Sequence, residues 1–104
     1  MEAKDLFKEL EFKILSQDKN LLVYSCEDDY NKVFINFDLK YKRYNITWEK
    51  FIDHLYNVVP MAERPKENRH SGYYGHWQNQ TNIYINAKMH NAIHQQIVEL
   101  GWIK

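Results

Sequence analysis

Val33, Ile35, Phe37 and Leu39 occupy alternate positions, and Asn36, Asp38 and Lys40 fall between them. A period of two sends the apolar set to one side of an extended chain, so this stretch is a strand with one face on a core. A chain built around such a strand needs sheet partners on either side. It also needs helices to cover the apolar face.

The neighbouring residues supply both. Phe12 and Ile14 alternate with Glu11 and Lys13, Ser16 to Asn20 is a polar turn, and Leu21 to Cys26 is rich in strand formers, which predicts a hairpin. The acidic turn Glu27-Asp28-Asp29 leads into the strand at 33–39, and a fourth strand is expected from Lys42 or Arg43 to Ile46. Asp5 to Leu10 reads as a short helix, with Leu6, Phe7 and Leu10 on one face and Ala3 before them. Trp48, Phe51, Ile52, Leu55 and Val59 follow at helical spacing after the cap residue Thr47, predicting a second helix that Pro60 stops. Ile83 and Ile85 predict a fifth strand over 81–85. Asn86 then caps a last helix carrying Met89, Ile93, Ile97 and Leu100, and a left-handed Gly101 should bring Trp102 back over Ile97. The expected fold is α+β: a four- to five-stranded, mainly antiparallel sheet packed on one face by two to three helices. Residues 1–104 form a single domain, with a long loop at about 60–80.

Composition narrows the function classes. At 44% hydrophobic and 15% aromatic the chain has the make-up of a packed globule. No apolar run approaches the roughly 20 residues of a membrane span, so no membrane partner is expected. Met1 to Asp5 lacks the basic-then-apolar order of an export signal, and Cys26 is the only cysteine; both favour a cytoplasmic location. Fourteen basic residues balance fourteen acidic ones, which argues against an acidic DNA mimic and against a general nucleic-acid coat. The balance is local, however: residues 1–38 hold five Lys against nine acids, and residues 39–104 hold nine Lys or Arg against five. A polyanion would bind the second part.

The segment Arg69-His70-Ser71-Gly72-Tyr73-Tyr74-Gly75-His76-Trp77-Gln78 is the most suggestive stretch. It sets three large aromatics and two histidines around two glycines, outside any periodic element. Tyr and Trp combine large contact area with a polar tip, which suits them to anchor a partner; the competing reading is that Tyr73 and Trp77 fold back and finish the core. Lys40-Tyr41-Lys42-Arg43-Tyr44 interleaves cations and rings as single-stranded nucleic-acid binders do, yet strand alternation divides the set between two faces. His90 and His94 stand at the i, i+4 spacing of paired metal ligands. Asn91 holds the position where a zinc protease has its Glu, and a polar helix flank explains both histidines. The order His76, Asn82 or Asn86, His90 resembles that of a metal-dependent nuclease in residue order only. Glu27-Asp28-Asp29 lacks the spaced ligands and glycine of a calcium loop.

The ending Ala92-Ile93-His94-Gln95-Gln96-Ile97-Val98-Glu99-Leu100-Gly101-Trp102, the meander before it and a composition rich in Lys, Asn, Ile and Tyr resemble the small uncharacterised proteins of phages and prophages of low-GC Gram-positive bacteria. The resemblance implies an accessory protein that binds a host or phage macromolecule. The expected function is therefore non-enzymatic binding of a protein partner, with no cofactor and no metal. Its surface centres on Tyr73, Tyr74 and Trp77 as anchors, Arg64 and Arg69 as charged contacts and His76 as a neutral donor or acceptor. The alternatives are a small metal-dependent nuclease or hydrolase using His76, His90 and His94, and a single-stranded nucleic-acid binder using Lys42, Arg43 and Tyr44.

Overall fold

Three aspartates ten residues apart set the frame of the sheet. In the computed structural model, which describes residues 1–103, the Asp18 carboxylate accepts from the amides of Asn20 and Leu21 at 2.8 and 2.9 Å. Asp28 does the same for Tyr30 and Asn31, and Asp38 for Lys40 and Tyr41. Each such bond folds the backbone back two or three residues on, and so reverses the chain. The strands between them are β1 (Lys13–Gln17), β2 (Leu21–Glu27), β3 (Asn31–Asp38) and β4 (Arg43–Asp53). With β5 (Gly75–Asn79) they form one antiparallel sheet in the order β1-β2-β3-β4-β5. The α+β expectation holds, with five strands and two α-helices among the described residues.

The alternation seen in the sequence decides which face is covered. Ile35 stands between Tyr24 and Ile46, and Phe37 between Leu22 and Tyr44. Across this face lie α1 (Ala3–Glu9) and α2 (Ala87–Glu99). Phe7 stacks on Tyr24 with ring centroids 4.0 Å apart and meets Phe12 and Phe37 edge-on. Ala3 and Ala92 are fully buried, and the Ala3 amide donates to the Glu99 carboxylate at 2.6 Å, tying the helices together. Small side chains at both positions allow this approach. The Tyr24 hydroxyl donates to the Gln96 side-chain oxygen at 2.6 Å inside the core; burial and the Glu99 carboxylate push its pKa up to about 12. Burial and neighbouring carboxylates also push the Cys26 thiol up, so it packs as a small hydrophobe.

Asn86 caps α2 as the sequence predicts, accepting from the Met89 amide at 2.8 Å. At its other end Gly101 adopts φ +73°, the amides of Gly101 and Trp102 donate to the carbonyls of Val98 and Ile97, and Trp102 meets Phe37 edge-on. This is the Schellman arrangement, in which a left-handed glycine lets two orphan carbonyls find donors. A chain ending at Leu100 should therefore lose about 2 kcal/mol of stability in urea melts, since it gives up a half-buried Trp and the cap. An unchanged midpoint would show that the C-terminal turn is not docked.

Two expectations are corrected. The helix predicted from Thr47 to Val59 is instead the second half of β4 over 47–53, followed by turn and coil over 54–59. Trp48 pairs with Val33 and Lys50 with Asn31, because all eight residues of β3 need ladder partners and only a long β4 supplies them. The fifth strand is 75–79 rather than 81–85. Residues 80–86 cross without regular structure, and Ile83 joins Val33, Trp48 and Met89 around a small apolar groove. The molecule is elongated, 54 by 25 by 25 Å. Its helices lie over the β1–β3 end, and the connection between β4 and β5 lies at the other.

Candidate binding surface

The connection at 54–74 is held by one buried guanidinium. Arg64 is only 3% exposed, and its Nη2 donates to both oxygens of Asp53 at 2.8 and 2.7 Å. Nε donates to the Val59 carbonyl at 3.0 Å and Nη1 to the Arg69 carbonyl at 3.3 Å, while the Tyr74 ring lies 4.3 Å from the guanidinium carbon. One side chain thus ties the end of β4 to three points of a coil whose only regular pieces are short 3-10 turns at Met61–Glu63 and Lys66–Asn68. Burial alone would raise the Asp53 pKa. The Arg64 hydrogen bonds, the Leu55 amide and the Arg64 charge outweigh it and hold the carboxyl below its usual range.

Under this coil, on the sheet face away from the helices, sits a second small core. Phe51 and Met61 are buried; Trp77 packs tilted on Phe51 at 5.3 Å, and His70 stands edge-on to Phe51 at 5.0 Å. The Lys32 ammonium lies 4.2 Å from the Trp77 ring. The His70 Nε2 lies 2.7 Å from the Asp29 carbonyl, and Arg69 reaches the Asp29 carboxylate at 3.5 Å, so the coil is pinned to the β2–β3 turn as well. Gly75 is required where β5 begins, because a Cβ there would run into the Ile52 carbonyl and the Phe51 ring.

Of the residues the sequence assigned to a partner surface, the structure divides those facing inward from those facing out. Arg64 makes its charge-assisted contacts inside the protein. Trp77 is half-buried and sandwiched, the lid arrangement that competed with the anchor reading. Arg69 is partly buried beside Asp29. Tyr74 covers Arg64 with one side of its ring and meets Tyr73 edge-on at 5.1 Å. Tyr73 is 75% exposed. Tyr56 and Val58, which fall inside the predicted helix, are also exposed. The Tyr74 carbonyl accepts from the His54 amide at 2.8 Å, which brings their turn beside the Tyr73–Tyr74 pair.

The basic run at 40–44 is occupied locally. Arg43 pairs with Asp38 at 3.0 Å, Lys40 and Arg43 lie over the Tyr41 ring, and Tyr44 packs against Phe37 on the helix-covered face. Lys42 takes φ +54° in the turn itself. His90 and His94 are exposed on α2, and His76 is in β5. No group of three or more His, Cys, Asp or Glu comes together as a metal site among the described residues, so the triad His76, His90 and His94 is not assembled. His76 is paired instead with His54, a residue with no local signal: Nε2 of His54 and Nδ1 of His76 are 3.1 Å apart. Among the described residues no helix is long and apolar enough to cross a membrane. In comparisons with known proteins, no family model, no curated protein and no solved structure matches this chain.

Proposed function

We propose that this is a non-enzymatic binding protein that engages a macromolecular partner, most simply a protein, through the end of the molecule built by residues 54–74. The observation that supports the reading is Tyr73, three-quarters exposed on a coil that Arg64 and Tyr74 hold rigid from below. An aromatic ring held out in this way loses little conformational entropy when a partner buries it. Tyr56 and Val58 widen the surface from the adjoining turn. Together with the resemblance in the C-terminal helix and meander, the reading is of an accessory protein from a phage or other mobile element.

Tyr73→Ala tests it directly. Stability should stay within about 0.5 kcal/mol of the parent, because the side chain makes few intramolecular contacts, while capture of the partner from a lysate of the native host should fall at least tenfold. Trp77→Ala is the contrasting variant. It should lose about 2–3 kcal/mol by opening the second core, and any loss of capture should follow its loss of folded protein. Normal capture by a folded Tyr73→Ala protein would move the surface elsewhere.

A further inference from the structure

We infer that His54 and His76 form a binding site for a divalent transition-metal ion of borderline softness, Cu2+ ahead of Ni2+ and Zn2+. Register brings the two rings together. Ile52 is the pairing partner of His76, so His54, two residues further along the chain, falls diagonally beside it on the same face of the sheet. The His54 amide donates to the Tyr74 carbonyl, which fixes the backbone of the first ligand; the second stands in the ladder of β5. Both side chains are exposed, and their ring centroids are 5.1 Å apart.

The geometry matches two ligands of one ion. Metal–imidazole bonds of about 2.0–2.1 Å place two nitrogens roughly 3.3 Å apart at a tetrahedral angle and roughly 2.9 Å apart at a right angle. The observed separation of 3.1 Å lies between these values. The two nitrogens stand at hydrogen-bond distance in the metal-free protein; in the metal complex the ion lies between them and both lone pairs turn toward it. Imidazole alone selects Cu2+, Ni2+ and Zn2+ over the hard cations Mg2+ and Ca2+, which need oxygen ligands. Two protein nitrogens leave the remaining coordination positions to water. A bound ion would clamp the end of β4 to the edge strand β5.

The test uses the intact protein and CuCl2, NiCl2 and ZnCl2 in a non-chelating buffer. Cu2+ at sub-stoichiometric ratio should broaden the amide and ring signals of residues 52–54 and 74–77, and Zn2+ should raise the melting temperature by mass action. His54→Gln and His76→Gln should each remove one equivalent of binding or weaken it at least tenfold, because a ligand counts for more than the outer partners whose loss costs about 10–100-fold. The double variant His90→Gln/His94→Gln should retain that equivalent. Broadening confined to residues 90–94, an affinity undiminished in both single variants, or no saturable binding of any of the three ions would each overturn the proposal. The broadening experiment needs no variant, so a substitution that fails to fold cannot mask the result.

Discussion

Replacing Arg64 by Met should destabilise the protein by about 3–5 kcal/mol, the cost of leaving a buried charge without its partner. The Met side chain can fill the volume beneath Tyr74 but cannot neutralise Asp53, which keeps only the Leu55 amide and a 3.5 Å contact from the Tyr30 hydroxyl. The carbonyls of Val59 and Arg69 lose their donors as well. Asp53→Leu with Arg64→Met should recover a large part of the loss, because removing both charges restores electrical balance where removing one does not. Acid titration gives an independent check. The Asp53 pKa is depressed in the folded protein, so its contribution is complete above the unfolded value near 3.9 and disappears as pH falls through the folded value. Asp28 and Asp38, held low chiefly by the amides of Tyr30 and Tyr41, add to the same acid limb. Urea midpoints measured from pH 7 down to pH 2 should therefore fall less steeply in Asp53→Asn than in the parent. A loss under 1 kcal/mol in Arg64→Met would mean that the coil is not held by this pair.

The elements that could be read from the sequence are those whose period admits one answer. Val33, Ile35 and Phe37 fit only a strand, and Met89, Ile93, Ile97 and Leu100 fit only a helix, so β3 and α2 appear where expected. Trp48, Phe51 and Ile52 satisfy helical spacing, but they fit equally a strand covered on both faces, with Trp48 toward the helices and Phe51 toward the coil. What decides between them is the ladder with β3, a pairing no local pattern expresses. Strand β5 has one apolar residue, Trp77, and so no period at all. The site was half legible for the same reason. An exposed Tyr73 in a Gly-flanked loop is readable from composition. The inward turn of Arg64, which lies among Glu63, Pro65 and Lys66, depends on Asp53 eleven residues earlier in what reads as a helix. The His54–His76 pair likewise depends on the register of β4 and β5.

Phe7→Ala should cost about 3–5 kcal/mol at the opposite end of the molecule, and it should do so by detaching a helix. Seven residues are too few for α1 to persist alone in water, so α1 exists only while its apolar face is docked. Phe7 carries most of that docking: it is completely buried, stacked on Tyr24 and edge-on to Phe12 and Phe37. Phe7→Leu, which retains most of the volume, should cost about 1–1.5 kcal/mol. A spectroscopic signature separates loss of docking from a simple cavity. In the parent, burial keeps the Tyr24 hydroxyl protonated to about pH 12. The unfolded chain loses that proton near pH 10, so stability is intact below pH 10 and declines as pH rises from 10 toward 12. With α1 detached, Tyr24 is wet and should ionise close to pH 10 in the folded remainder, adding one phenolate to the early part of an ultraviolet titration. If Phe7→Ala lowers stability but leaves that titration unchanged, α1 remains docked through Leu6 and Leu10, and Phe7 fills space without holding the helix in place.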